Sequence, residues 1–600
     1  MLMKRNALVL TLVLTLIASA AGGAIIFHRT RADPYIAPEQ PPSGYRIYSN
    51  GTCDAPNLRQ DGNLYTFTSD IQGTIVIERD GIVLDGANHT LYGDGSSHGI
   101  WLQDKGGVTI KNLNIKNFDN GIRFTHYIAD WYAGETNPKH PANCTIRACN
   151  ITNNVYGISL HYSFNCSVIG NYIAHNTYGL YLYGSDNILR NNKMAQNQYN
   201  FWEVDDNVND VDASNLINGK PIYYWVDRHN LKVPAGAGAV ILKHCSGITV
   251  QNLNLSQNGN GLSLYYTNNS EIIDNVISDN YWRGIEIWWS NNNSIIGNHI
   301  TNTQDYGIEI YDSHNNTYSH NLIKNNECGI YNRKTSTGDI ISSNQVIGNK
   351  RTGIDAGSDS TITKNYVASN GAGILARSNC LITENNITQN EVNGLALFSS
   401  CLVMSNYISK NNIGIIISTG TKNTITLNSI VENVEWGIKL AGYGAEPGEA
   451  PENNFIFKNN FINNNGNGKQ AYVKNVTFWG TGPSETHELP GPANSWDDGA
   501  EGNYWSDHYG DGIYYINENN QDNHPLLEPM EFTALEIPYV PSPQVAETPT
   551  DPTANPTTEP TPDSTFEPEP FPAMIVAVAF AATAIVVSAF LLSYFKKRKR

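Results

Sequence analysis

Two glutamates, Glu286 and Glu309, hold equivalent places in a repeated motif, each two residues beyond a glycine, Gly284 and Gly307. Other copies carry Ser159, Tyr181, Ser263, Tyr331 and Asp355 at that place. Two residues further on stand His161, Tyr183, Tyr265, Trp288, Tyr311 and Arg333. Stacked in register, the copies give two outward rows, a carboxylate pair beside an aromatic stripe. Aromatic faces stack on sugar rings, and adjacent carboxylates hold hydroxyls or a cation. His161, Tyr183, Tyr265, Trp288, Tyr311 and Asp355 are therefore the candidate ligand-binding residues. Glu286 and Glu309 are the candidate catalytic residues, since carboxylates about 5 Å apart can run retaining glycoside hydrolysis. Two arguments weigh against catalysis. Residues stacked on one face need not converge across a substrate, and exposed like charges repel unless Arg283, Arg333 or Ca²⁺ compensates. The structural alternative is that the aromatics decorate an exposed sheet as cross-strand pairs.

The elements that must position these residues follow from the repeat. Its pattern is Asn-x-Ile/Val-x-x-Asn, three or four residues, then Gly-Ile/Leu and a short alternating strand. It runs from Asn171 with Gly179 through Asn275 with Gly284, Asn321 with Gly329, Asn344 with Gly353, Asn365 with Gly373, Asn385 with Gly394 and Asn406 with Gly414 to Asn428 with Gly437. Asn298 with Gly307 keeps the register but has Thr303 at the second asparagine. A period of roughly 20–24 residues is too short for strand–helix–strand units and suits an all-β solenoid. Each short strand, such as Gly284-Ile285-Glu286-Ile287-Trp288, buries its isoleucines only when coil stacks on coil as a parallel β-helix. The turn asparagines then form a ladder of side-chain amides, where aspartates about 4.8 Å apart would repel.

Composition excludes some classes. Charged residues make up 16 % and the formal net charge is −18. So acidic a chain disfavours nucleic acid as a partner. It suits divalent cations and neutral or cationic glycans.

The ends specify a location. Residues 1–24, with Lys4, Arg5 and an apolar run ending near Ala18-Ser19-Ala20, read as a signal peptide or an N-terminal anchor. Residues 573–595 are apolar and uncharged, long enough for one transmembrane helix, and 596–600 form a basic cytoplasmic tail. The bulk of the chain is then extracellular, on the cell membrane. Between them the boundaries are a lead-in at 25–60, the first part of the β-helix at 61–206, an insertion at 207–245 expected to protrude as a loop or small hairpin, the second part at 246–476, a cap at 477–530 built on Trp496, Tyr504 and Trp505, and a disordered Pro/Thr-rich stalk at 531–572.

Three further stretches carry a family resemblance: Thr74 to Ala87 with Ile82-Val83-Leu84-Asp85-Gly86, Ile217 to Trp225 with Ile248 to Leu253, and Asn494-Ser495-Trp496-Asp497-Asp498 with Gly502-Asn503-Tyr504-Trp505-Ser506-Asp507. With the repeats they resemble the right-handed parallel β-helix superfamily of carbohydrate-binding proteins and sugar hydrolases, and within it the NosD-like group found on archaeal cell surfaces. The resemblance implies a right-handed coil and leaves function open, because one fold hosts many activities. The Asp-Pro-His-Glu signature of the alginate epimerases is missing, and so are the polygalacturonase and pectate-lyase sets. NosD proteins are associated with copper delivery, but this chain has no Met-rich or Cys-x-x-Cys segment and its histidines are scattered.

Cys144 with Cys166, and Cys380 with Cys401, share a repeat register in adjacent coils. Each pair offers a disulfide in an oxidising compartment or, where the sulfurs are poorly oriented, a ladder of buried thiols. Glycosylation sequons such as Asn88, Asn165 and Asn315 suit an extracellular location. The sequence thus reads as a membrane-anchored surface β-helix that binds carbohydrate or serves an envelope or adhesion role. It calls for no cofactor beyond Ca²⁺, and its partners are glycans and envelope proteins. A polysaccharide hydrolase or lyase is the alternative, and copper delivery the second alternative.

Overall fold

The computed structural model describes residues 41–126, 141–333, 335–441, 450–474, 476–479, 486–489, 491–532 and 535–543. All lie in the first of two compact units, which spans Met1–Thr548. The expected signal peptide, transmembrane helix and basic tail lie outside the described residues, as do 25–40 of the lead-in and 544–572 of the stalk. Among the described residues no helix is long and apolar enough to cross a membrane.

The chain is a parallel β-solenoid in two halves, each with its own continuous core. The first core runs from Ile47 to Ile241 and the second from Val233 to Ile516. The front sheet of the first half stacks seven strands and ends with Tyr156–His161, Tyr178–Tyr183 and Tyr199–Glu203. The front sheet of the second half starts at Lys220–Val226 and Ala239–Lys243 and continues through Asn260–Tyr265, Arg283–Trp288, Tyr306–Tyr311, Cys328–Asn332 and Thr352–Ala356. Two ten-stranded sheets complete the second half. The back sheet begins with Thr249–Gln251. The side sheet comprises Val276–Ser278, His299–Thr301, Leu322–Lys324, Gln345–Ile347, Tyr366–Ala368, Asn386–Thr388, Tyr407–Ser409, Ser429–Val431, Asn460–Ile462 and Tyr504–Trp505.

The repeat residues act as the spacing predicts. The backbone N–H of Asn275 and its Nδ2 both donate to Asn298 Oδ1, at 3.0 and 2.9 Å, and Nδ2 also donates to Val250 O. The pattern repeats through Asn321, Asn344, Asn365, Asn385, Asn406, Asn428 and Asn459 to Asn503. Each buried amide therefore finds both donors and acceptors, as a dry interior requires. Ahead of a ladder asparagine sits a residue of positive φ, such as His175 or Asp274. Asn, Asp and Gly tolerate that conformation best, which accounts for the polar turns. The repeat glycines allow close stacking: a Cβ on Gly284 would lie 2.5 Å from Gly307 O.

The cap closes the ladders with acceptors. Asp522 takes the Asn503 N–H and Trp505 Nε1, and Asn520 takes Trp496 Nε1. Trp505 stacks between Phe461 and Tyr514, with centroids 4.5 and 4.1 Å apart. Trp496 and Trp505 are buried as expected. Tyr504 is only half-buried, and Tyr514 fills the third aromatic place.

Residues 207–245 do contain a hairpin, Leu216–Ile217 against Lys220–Val226, but it does not protrude. It is the joint between the halves. Ile222, Tyr224, Ala239 and Ile241 turn their side chains into the open end of the first core, while Val240 and Leu242 face the second. Sequence periodicity is lost there because one strand serves two interiors.

Candidate functional site

The aromatic rows meet at this joint. The expected single stripe is two pieces: His161 pairs with Tyr183 in the first front sheet, and Tyr265, Trp288 and Tyr311 pair in the second. A seam of rings joins them. His161 stacks on Tyr181 at 4.6 Å, Tyr181 meets Trp202 at 4.9 Å, and Trp202 meets Trp282 at 5.5 Å. The Arg283 guanidinium lies 3.6 Å from the Trp282 ring centre and 5.3 Å from that of Trp288, and Trp288 meets Tyr311 at 5.5 Å. Such a cation packed between rings adds to their mutual attraction. Tyr183, Trp282, Trp288, Tyr311 and Tyr331 are half-buried and so present ring surface to solvent.

Trp202 and Trp282 come from different halves, so the seam exists only if the joint is held. Gln257 O accepts the backbone N–H and Nδ2 of Asn200, and the Gly259 N–H donates to Phe201 O. A Cβ on Gly259 would stand 2.1 Å from Trp202 Cγ, so glycine is needed for that indole to seat. Lys243 pairs with Glu203 and donates to Asp205 O and Asn207 O at 2.9 and 2.5 Å, all within the joint. Burial pushes the Glu203 carboxyl up to about 7 although Lys243 opposes it.

The carboxylates are placed as the register predicts, Glu286 opposite Glu309, but they are not exposed. Each is 1 % accessible. Glu286 Oε2 accepts from Asn260 Nδ2 at 2.8 Å, Ser263 Oγ at 3.2 Å and Tyr265 OH at 2.5 Å, while Arg283 Nη1 donates to Oε1 at 2.5 Å. Glu309 pairs with Arg283 through Nε, accepts Trp288 Nε1 at 3.2 Å and lies 3.7 Å from Arg333. Arg283 thus bridges the two like charges. Burial raises the Glu286 carboxyl above its ordinary range, with Arg283 opposing and Glu309 assisting. A carboxylate this buried, with both oxygens bonded, has no open approach for a sugar.

Tyr265 is also sealed in, at 1 % accessible, and serves Glu286 rather than a ligand. Asp355 is buried 3.5 Å from Arg377, and burial pushes its carboxyl up to about 7. His161, under Tyr181, is pushed down to about 3 by burial and by Arg123, so it is neutral at physiological pH. Of the ligand-binding candidates, His161, Tyr183, Trp288 and Tyr311 keep surface and lie on the seam; Tyr265 and Asp355 do not.

The sequence reading missed Trp202, Trp282 and Arg283 as the centre of the seam. Trp202 lies in the last strand of the first front sheet, Tyr199–Glu203, which has no repeat glycine, and Trp282 lies in a turn. It also missed a dyad just past two strands of the first front sheet, His98–Gln103 and Asn120–Thr125, where His126 Nδ1 stands 2.7 Å from Asp104 Oδ1. An open groove of about 940 Å³ lies away from the seam, along the turns bearing Asn153, His175, Gln196 and Gln257. Its lining is polar, and it touches none of the candidate residues.

Cys144, Cys166, Cys380 and Cys401 are buried and stand as free thiols in this structure. They occupy asparagine-ladder places: the Cys166 N–H donates to Asn187 Oδ1, and that of Cys401 to Asn423 Oδ1, each at 2.9 Å. Parallel in-register stacking points each sulfur at a carbonyl, as with Cys401 Sγ and Arg377 O at 2.9 Å. Among the described residues no group of three or more His, Cys, Asp or Glu side chains is placed to hold a metal ion.

Comparison with known proteins agrees with the architecture. The family model for the right-handed β-helix region matches residues 73–233 and 225–370, changing over at the joint, and that for the periplasmic copper-binding protein NosD matches 348–510. No curated protein sequence matches. Among solved structures, the A-module of mannuronan C-5 epimerase AlgE6 from Azotobacter vinelandii is 12 % identical, covering 60 % of this chain and 90 % of its own, with a TM-score of 0.20. The periplasmic alginate epimerase AlgG is 12 % identical over 68 % and 80 %, with a TM-score of 0.20. DFA-IIIase from Arthrobacter chlorophenolicus A6 is 10 % identical over 62 % and 83 %, with a TM-score of 0.24. Likeness at this level says nothing of what this chain binds or does. The stacked strands, the asparagine ladders and the two family models together place the chain in the NosD-like right-handed β-helix family.

Proposed function

We propose that this chain is an extracellular, membrane-tethered β-helix that binds a carbohydrate strand across the joint between its halves. The observation that carries this reading is the ring seam from His161 to Tyr311. It offers half-exposed aromatic faces from two sheets at one corner, and sugar rings bind by stacking on such faces. The 573–595 segment would hold the protein to the membrane, with 596–600 on the cytoplasmic side. Recognition of this kind needs no cofactor.

A polysaccharide-acting enzyme is the second reading. Its support is the buried Glu286, whose raised pKa and Tyr265 contact resemble those of a tuned acid. The near-complete burial of Glu286 and its pairing with Arg283 weigh against it. Copper delivery has less support still, since His175 stands on a turn and His508 in the cap.

The test is a glycan array probed with the full chain, followed by titration of any hit against Tyr311→Ala and Tyr183→Phe. Binding that falls at least tenfold in Tyr311→Ala supports the seam. Equal binding by wild type and Tyr311→Ala would remove the seam as the site. Product release abolished by Glu286→Gln would favour the enzyme, and a blank array would favour an envelope role with protein partners.

A further inference from the structure

After the cap the chain turns back along the solenoid. Met530 N donates to Asn460 Oδ1 and Asn460 Nδ2 to Met530 O, both at 2.8 Å. Phe532 lies 5.9 Å from the Tyr407 ring. Gln345 Nε2 donates to Pro538 O at 2.7 Å, and His299 Nε2 is 3.0 Å from Pro541 O. These four partners belong to the side-sheet strands Asn460–Ile462, Tyr407–Ser409, Gln345–Ile347 and His299–Thr301, in that order back along the stack.

The spacing fits an extended segment. From Asn460–Ile462 to His299–Thr301 there are seven strand steps, or about 34 Å at roughly 4.8 Å each. Residues 530 to 541 are eleven steps of chain, or about 34 Å at the 3.1 Å rise of polyproline II. Proline at 538 and 541 preorganises that conformation. The face it crosses carries the half-buried Leu322, Ile347, Tyr366, Tyr407, Val431 and Ile462, apolar surface that an overlying segment can cover.

We infer that the outer face of the side sheet is a docking surface for the chain's own proline-rich segment, which carries the exit of the chain from the capped end of the solenoid back to its middle, beside His299. The described chain thus ends beside the second strand of the side sheet rather than at the cap. This inference does not rest on carbohydrate binding.

The test uses the full chain with Pro538→Cys paired with Gln345→Cys, or with Thr363→Cys on the back sheet as control, treated with a short bifunctional maleimide. The expected result is an intramolecular crosslink with Gln345→Cys and none with Thr363→Cys. A crosslinked dimer would mean that the segment docks on a second copy, and equal crosslinking in both pairs would mean no docking; either overturns the inference. As a second measurement, chymotrypsin should cut after Tyr539, which is 79 % exposed, about tenfold faster in His299→Ala/Gln345→Ala than in wild type, following the loss of two hydrogen bonds. Equal rates would also overturn it.

Discussion

Asp339 is an aspartate standing in an asparagine ladder. It stacks between Asn316 and Ser360, and its Oδ1 accepts the Asn316 N–H at 2.8 Å. Asn316 and Asn293, its predecessors, use Nδ2 to reach carbonyls of earlier coils, Ser290 O and Thr267 O. Asp339 has no such donor, and its Oδ2 is buried with no partner among the described residues. Burial pushes the carboxyl up to about 7, against 3.8 when unfolded. A raised carboxyl binds its proton more tightly in the folded state, so the fold loses stability as pH rises from about 4 to 7 and gains none back above. The slope is about 1.4 kcal/mol per pH unit and the full cost about 4 kcal/mol. Asp339→Asn removes that cost and supplies the missing Nδ2 donor to Ser313 O. The variant should melt near wild type at pH 4.5 and several degrees above it at pH 8, followed by near-ultraviolet circular dichroism. Glu203 and Asp355 titrate equally in both proteins and cancel. An equal shift at the two pH values, or a variant less stable at pH 8, would refute the reasoning.

Gly259→Ala should force Trp202 from its seat and cost about 1–3 kcal/mol, seen as a red shift of tryptophan emission; an unchanged spectrum and Tm would mean the joint tolerates the methyl group. Lys243→Ala leaves Glu203 buried and unpaired and should cost about 3–5 kcal/mol, whereas Lys243→Met with Glu203→Leu should recover most of it; equal losses in the two variants would contradict the pairing. Reductant should leave the Tm unchanged, and Cys166→Asn should extend its ladder at no cost; a Tm that falls with dithiothreitol would show disulfides instead of thiols.

The repeat made much of the fold legible. Asn275, Asn298 and Asn321 announce a ladder, and Gly284 and Gly307 announce close stacking, because one chemical requirement recurs at one period. The rows carrying Glu286, Glu309, Trp288 and Tyr311 followed from that register. What periodicity could not give was depth. Glu286 and Glu309 occupy outward places, yet both are buried, paired with Arg283, whose guanidinium is stacked on Trp282. Nor could it show that His161–Tyr183 and Tyr265–Trp288 lie on different sheets, since the joint at 207–245 trades the repeat for a strand facing two cores. The thiol ladder was one of two readings because Cα spacing alone suits both.

The most direct test of the central claim is a crystal structure of the protein soaked with the array's best oligosaccharide. The account predicts sugar rings stacked on Trp288 and Tyr311 and reaching toward Tyr183 across the joint. Sugar found instead in the polar groove beside His175, with the seam bare, would contradict it.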